Sequence, residues 1–274
     1  LINFLKKDLG EFIKTGYGIS KIDSQDQQIK LSFENNEKKY CDYLVISDGV
    51  FSKSKNLISN NLTNSRYNGT VAIRGILPKS PDNIDSKNIS LFLSSDFHHV
   101  IYPTNPNGDL NFIAIMKYKL SKDEQKNFRL FNDNNFIKKV IEKIPLKNKE
   151  FLDSLYELRI FPVFVSDNFH QLENENIHLI GDAFFAFPPS LAQGASQSIE
   201  GAYELFKNIE NSTERNFFDN RVKKTKMVNI RSKFNQFVFH LSNPFNIFFR
   251  NIFLKRLVKN KKFLEFYLGK IYKI

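Results

Sequence analysis

The stretch 177–205, IHLIGDAFFAFPPSLAQGASQSIEGAYEL, decides the fold. Its first four residues, Ile177-His178-Leu179-Ile180, form a short apolar run that predicts a buried strand. Gly181-Asp182 ends that strand with a turn residue and a carboxylate. An aromatic, proline-rich loop follows, in which Pro188-Pro189 fixes the backbone and leaves carbonyls without neighbouring N–H groups. After Gln193-Gly194, the residues Ala195, Ile199, Ala202 and Leu205 recur at helical spacing. Strand, acidic turn, glycine-bearing loop and helix start is an order that carries backbone N–H groups up to an anionic or electron-rich ligand. Gly194 has no Cβ, so a flat ring can approach the main chain there.

Upstream, 1–13 places Leu1, Leu5, Leu9 and Phe12 on one helical face. Segments 18–22 and 29–33 alternate apolar with polar residues and predict a β-hairpin. A turn at Asn35-Asn36 leads to the buried strand 43–47, which ends in Asp48-Gly49 and runs on through Ser52, Lys53 and Lys55. Taken alone, a strand ending in Asp-Gly is equally an ordinary turn.

The middle of the chain has a different character. Residues 71–77 predict a strand closed by Pro78, and 89–93 another. The pair 98–103 and 110–117 flanks Asn105-Pro106-Asn107-Gly108, a hairpin by its turn chemistry. Together they predict an antiparallel sheet between two α/β regions. His99 is a candidate base on a phenol, with a strand-edge histidine of no chemical role as the alternative. Arg74 is a candidate anchor for a substrate carboxylate, or a buried brace of the sheet. His98 and His99 are adjacent on a strand and point to opposite faces, so no metal site is expected. The polar segment 121–149 predicts one surface helix with Phe136, Val140 and Ile144 inward, ended at Pro145. A strand over 155–165 and a polar loop then return the chain to Ile177.

The motif Gly181-Asp182-Ala183, Pro188-Pro189 and Gln193-Gly194-Ala195 resembles the second flavin-binding motif of the FAD-dependent aromatic hydroxylases, single-component flavoprotein monooxygenases of the p-hydroxybenzoate and salicylate hydroxylase type. The resemblance implies that Asp182 binds the ribityl chain and that the 188–195 loop lines the isoalloxazine edge. Asp48-Gly49 is similar to that family's second Asp-Gly segment, near the FAD pyrophosphate and tied to nicotinamide use. Here Ser47 replaces a small Ala, and Lys53 and Lys55 stand where Arg is commoner, keeping charge but not the bidentate fork. Phe184-Phe185 departs from the usual small residue and His. The order in the middle segment resembles the substrate domain of the salicylate hydroxylase branch, and Pro244, Arg250-Asn251 and Tyr267 resemble its C-terminal helices.

The fold class expected is α/β (α+β overall). Residues 1–60 and 166–210 form parts of an FAD-binding domain, 61–165 a substrate-binding antiparallel sheet domain, and 211–274 a helical region. The family's opening strand, Gly-x-Gly-x-x-Gly and helix, which bind the ADP pyrophosphate, are not found in this sequence. That leaves a fragment, a companion chain supplying the unit, or a vestigial site as readings. The activity implied is hydroxylation of an aromatic or electron-rich small molecule, with FAD as cofactor, NADH or NADPH as reductant and O2 as co-substrate. The rival readings are a non-catalytic remnant or interaction module of the same fold, and a basic surface-binding protein.

Composition bounds these readings. The 274 residues, 41% hydrophobic and 25% charged, are globular in character, and no apolar run is long enough to span a membrane. There is no signal-peptide pattern, and the single Cys41 allows no internal disulfide, which suits a reducing cytoplasm. The net charge of +11 comes with lysines scattered among Asn, Ile and Phe, which reads as compositional bias and gives no nucleic-acid site. In the basic, aromatic segment 213–271 one long helix and two shorter ones are expected, their Phe residues packed on the core, with contact to an anionic membrane as the alternative. Nothing in the sequence fixes the oligomeric state.

Overall fold

Alternation of apolar and polar residues over most of the first 165 positions makes strands, and the 3.6-residue period after Gly194 makes helices. The computed structural model describes residues 2–25, 28–59, 64–78, 88–104, 108–145, 150–167, 171–211 and 213–272. In chain order the elements begin with α1 (Ile2–Lys6), then β1 (Ile19–Gln25), β2 (Gln28–Phe33), β3 (Lys38–Cys41) and β4 (Leu44–Ile46). β5 (Arg66–Leu77), β6 (Ser90–Ser94), β7 (Phe97–Pro103) and β8 (Leu110–Lys117) follow. Next come α2 (Lys122–Lys126), α3 (Asn134–Glu142), α4 (Glu150–Asp153), β9 (Tyr156–Asp167), β10 (Ile177–Leu179), α5 (Gly181–Phe184) and β11 (Phe185–Ala186). Helices close the chain: α6 (Gly194–Glu210), α7 (Glu214–Phe239), α8 (Pro244–Leu257), α9 (Lys261–Leu264) and α10 (Lys270–Tyr272). No helix among the described residues is long and apolar enough to cross a membrane.

Two compact units result. The first comprises Leu1–Asn64, Ser166–Ala186 and Ala195–Arg221. In it β1, β2 and β3 form an antiparallel sheet in that order, with Ile29, Leu31 and Phe33 buried at alternate positions of β2. β4 and β10 pair in parallel, Leu44 opposite Ile177 and Ile46 opposite Leu179. β11 pairs with the 166–167 end of β9. The opening helix is shorter than expected: α1 gives way to a 3-10 turn at Gly10–Phe12, and Ile2, Phe4, Leu5, Leu9 and Phe12 are all exposed. Leu1 lies outside the described residues.

The buried face of α6 is also out of phase with the expected stripe. Gln197, Gly201 and Leu205 are inward, while Ile199 is exposed. The cause is Arg221, whose buried guanidinium donates to the Gln197 carbonyl at 3.0 Å and to its side-chain Oε1 at 3.1 Å. It also pairs with Glu200 at 3.0 Å and Glu204 at 3.3 Å. Gly201 makes room, since a Cβ there would lie 3.4 Å from the Arg221 Nε.

The second unit comprises Ser65–Val165, Phe187–Gly194 and Val222–Ile274. Its antiparallel strands run β9-β5-β8-β7-β6. One face buries Val71, Ile73, Phe97, Ile101, Leu110 and Phe112 against the expected stripe, Phe136 and Val140 of α3 and Ile144 just beyond it. The single helix expected over 121–149 is instead broken into α2, a 3-10 turn at Phe128–Asn132 and α3. The Asn105-Pro106-Asn107 turn lies outside the described residues. Two capping devices start the polar helices: a reciprocal Ser121–Glu124 box on α2 and the Asp133 side chain on α3. At α8 the Asn243 side chain caps and Pro244 occupies the first turn. The expectation that the Phe residues of these last helices pack on the core holds for Phe217 of α7 but is corrected for Phe234, Phe237, Phe245, Phe248, Phe249, Phe253 and Phe266, which are exposed.

Candidate functional site

In the first unit the parallel pairing of β4 and β10 sets two acidic turns side by side. Asp48 follows β4 and Asp182 follows β10, both at the carboxyl ends of their strands, and the Ile180 N–H continues the ladder by donating to the Ile46 carbonyl at 3.0 Å. Ligands of α/β folds bind at this end of the strands.

Gly181 is dictated twice over. Its φ of +57° is left-handed, and a Cβ would meet the Ser198 hydroxyl of α6 at 3.2 Å. Asp182, next in the chain, keeps an exposed edge while the protein packed around it raises its carboxyl above the usual range. Its backbone carbonyl accepts from the Ser166 hydroxyl at 3.4 Å, but its carboxylate has no hydrogen-bond donor or ion-pair partner among the described residues. A solvent-reachable carboxylate with free lone pairs is suited to accept from hydroxyl groups of a ligand.

Asp48 is differently placed. Burial acts to raise its carboxyl, but hydrogen bonds from Ser52 and Ser54 outweigh that and hold it below the usual range. The Ser54 N–H donates to it at 3.1 Å, so Asp48 braces the 48–54 turn that Gly49, at φ +84°, makes possible. Lys55 is fully buried, and its Nζ has no hydrogen-bond partner among the described residues. Burial pushes its ammonium below the ordinary lysine range, with Asp48 opposing. No residue near Lys55 in the chain signals that this lysine points inward.

The Phe184-Phe185 departure is absorbed by packing. Phe184 joins Ile177, His178, Leu179, Phe217 and Phe218 around a small apolar cavity, and its ring meets Phe218 edge-on at 6.2 Å. Phe185 is buried opposite Asp167.

In the second unit, Pro188 is buried and Pro189 opens a 3-10 turn that ends at Ala192 in the left-handed region, φ 52°. The Ser190 hydroxyl donates to the Ser232 carbonyl of α7 at 2.5 Å, and Asn235 returns a hydrogen bond to the Ser190 carbonyl at 3.3 Å. Gln193 is buried. Gly194 has nothing within 4 Å of where a Cβ would sit, so the space beside its Cα is empty. Ala195, the next residue of α6, belongs to the first unit.

His99 lies on the core face of the sheet. It stacks on Phe92 with centroids 4.6 Å apart and touches Phe97 and Phe112, and burial lowers its pKa to about 4. Arg74 is exposed, which rules out the buried brace. Directly across the ladder from it stands Arg159, also exposed. Neither guanidinium has an ion-pair or hydrogen-bond partner among the described residues. On the same face, Asn111 is buried with its amide nitrogen unpartnered and faces Tyr102 and Ile76 across the two ladders. Arg159 and Asn111 escaped the sequence reading because only strand register brings them beside Arg74. The register also exposes a buried pair, His98 Nδ1 and His240 Nε2 at 2.8 Å, from residues 142 apart. Among the described residues no group of three or more His, Cys, Asp or Glu could hold a metal.

Comparison with known proteins places this geometry. A family model described as FAD binding domain matches residues 17–214. Chloroplastic zeaxanthin epoxidase of Spinacia oleracea is 25% identical over 224 residues, 78% of this chain and 31% of the relative. That of an Oncidium hybrid cultivar is 24% identical over 189 residues, 67% of this chain and 27% of the relative. The chain thus spans about a third or less of these curated relatives. Among solved structures, Klebsiella pneumoniae HpxO with FAD and uric acid aligns at TM-score 0.73 and 12% identity, covering 98% of this chain and 70% of that one. A salicylate hydroxylase substrate complex aligns at TM-score 0.65 and 19% identity, covering 89% and 66%. The 2,6-dihydroxypyridine-3-hydroxylase of Arthrobacter nicotinovorans aligns at 0.66 and 15%, covering 83% and 65%.

Proposed function

The chain belongs to the FAD binding domain family and has the fold of the FAD-dependent aromatic hydroxylases, and from that premise we propose that the protein it represents is an NAD(P)H-dependent monooxygenase. Its substrate is an aromatic or electron-rich small molecule that receives one atom of O2. The observation that carries this reading is Asp182: a solvent-reachable carboxylate, raised above its usual range and without a donor among the described residues, at the carboxyl end of β10.

These residues fit FAD. Asp182 would accept from the ribityl hydroxyls, and Gly181 lets the chain reach that position without displacing Ser198. The Asp48-Gly49 turn would shape the pyrophosphate end. In the second unit, the empty space beside the Gly194 Cα leaves room for the edge of a flat ring. When bound, FAD supplies the chemistry that links nicotinamide oxidation to oxygen transfer.

Substrate selection we assign to the second unit's open sheet face. Two like charges directly opposite on a ladder destabilise it, so Arg74 and Arg159 together favour an anionic ligand, a carboxylated ring above all. Asn111 offers an unused amide donor on the same face. His99, packed among phenylalanines and neutral at pH 7, is the weaker candidate for base chemistry.

The test is purification of the full-length protein, FAD titration, and NADH or NADPH oxidation with a panel of phenolic acids. Yellow protein that loses FAD on Asp182→Ala, and oxidation stimulated by a phenolic acid, are the results expected. An unchanged FAD affinity in that variant, or no bound flavin in the parent, would support the remnant reading instead.

A further inference from the structure

Net charge in this protein is not evenly spread, despite the scatter of lysines. Residues 211–274 hold 15 of the 40 Lys and Arg but 3 of the 29 Asp and Glu. The same segment carries an apolar surface. On α8, Phe245, Phe249 and Phe253 fall at i, i+4 and i+8 on one exposed face, with Phe248 beside them. They are 69%, 39% and 57% exposed. The opposite face of α8 turns inward: Ile247, Leu254 and Leu257 are partly buried there, and Arg250 is buried, bonds to Asn251 at 3.1 Å, and reaches the Val238 and Phe239 carbonyls that end α7. The helix is therefore apolar on both faces, where a surface helix needs only one apolar stripe.

The pattern extends along both neighbours. On α7, Ile230, Phe234 and Phe237 form an exposed i, i+4, i+7 stripe, and Phe237 lines a ≈ 460 Å³ cleft with Asn243 and Asn246 at the start of α8. Lys255 and Arg256 stand in the last turn of α8, Lys259, Lys261 and Lys262 follow it, and Lys270 sits 4.4 Å over the exposed Phe266 ring.

We propose that this aromatic face with its lysine border docks on the surface of an anionic phospholipid bilayer, lying in the interface and not crossing it. Aromatic side chains enter the headgroup–acyl boundary while flanking cations meet lipid phosphates, and neither contribution alone gives stable attachment. Charge complementarity selects a lipid surface over a second copy of the chain, because a symmetric copy would bring the same lysines together.

Co-sedimentation of the full-length protein with vesicles tests this, using phosphatidylcholine alone and phosphatidylcholine mixed with phosphatidylglycerol. The mixed vesicles should bind it, the neutral ones should bind about tenfold less or worse, and high salt should release it. The triple variant Phe245→Ser, Phe249→Ser, Phe253→Ser should lose that binding with an unchanged melting temperature. The quadruple variant Lys255→Glu, Arg256→Glu, Lys259→Glu, Lys262→Glu should lose it without unfolding. The proposal is overturned if mixed vesicles bind no better than neutral ones or if the triple variant still binds. It is equally overturned if the triple variant melts earlier or shifts from dimer to monomer in ultracentrifugation, since the face would then belong to internal packing or to a second copy.

Discussion

Gly181 turns the chain in the left-handed region with the Ser198 hydroxyl 3.2 Å from the place its Cβ would occupy. Both constraints act on one residue, so Gly181→Ala should cost about 1–3 kcal/mol. Urea denaturation followed by circular dichroism measures the loss. Pairing it with Ser198→Gly removes the contact but leaves the backbone strain. Recovery in the double variant should therefore be partial, and full recovery would mean that the torsion carries no cost.

Arg221 binds two carboxylates and a buried glutamine between α6 and the start of α7. Removing it deletes two hydrogen bonds to Gln197 and an ion pair to each of Glu200 and Glu204. Arg221→Met should destabilise the protein by about 3–5 kcal/mol, and Arg221→Lys by less, because Lys keeps the charge without the fork. Equal losses in the two variants would show that charge is irrelevant there.

Lys55 predicts the opposite sign. A buried ammonium without a hydrogen-bond partner is costly, and Met fills similar space without the charge. Lys55→Met should leave stability unchanged or raise it by about 1–4 kcal/mol. A lower melting temperature would reveal that the amine serves a partner.

Three buried histidines give the protein a pH dependence. His98 is lowered to about 3 by burial first and then by His240 and His99, His99 to about 4 by burial, and His240 to about 4 by burial and Lys117, against Asp96. All three folded values lie below the unfolded value of ~6.5. Between those limits the unfolded chain takes up protons that the native chain refuses. Stability is therefore full above pH ~6.5 and falls as pH drops toward the folded values, by up to about 1.4 kcal/mol per pH unit for each histidine. His99→Phe should flatten that slope in denaturation curves taken from pH 7 to pH 4.5. A slope unchanged by the substitution would mean that His99 titrates normally.

What could be read in the sequence was whatever is local. The run from Ile177 through Gly181-Asp182 to Gly194 declares its strand, turn and helix within a few residues of each position, and the Phe136–Val140–Ile144 stripe declares α3. Non-local register was hidden: Arg74 opposite Arg159, and His98 against His240, depend on strand pairing and helix docking that no nearby residue signals. The phase of α6 was hidden for a related reason, because a glutamine and a glycine line its inner face only when Arg221 arrives from α7. Phenylalanine in a basic helix signals burial by type alone, whereas on α8 the chain buries Arg250 and presents the rings outward.

The segment from Pro188 to Ala192 holds its shape through two proline rings and two hydrogen bonds, one that Ser190 donates to α7 and one that it accepts from Asn235. Its conformational entropy is surrendered when the chain folds, so a molecule arriving there meets a surface already set. Association at that loop should proceed at an encounter-limited pace without a slow rearrangement, and loosening Ser190 should slow arrival before it weakens the complex.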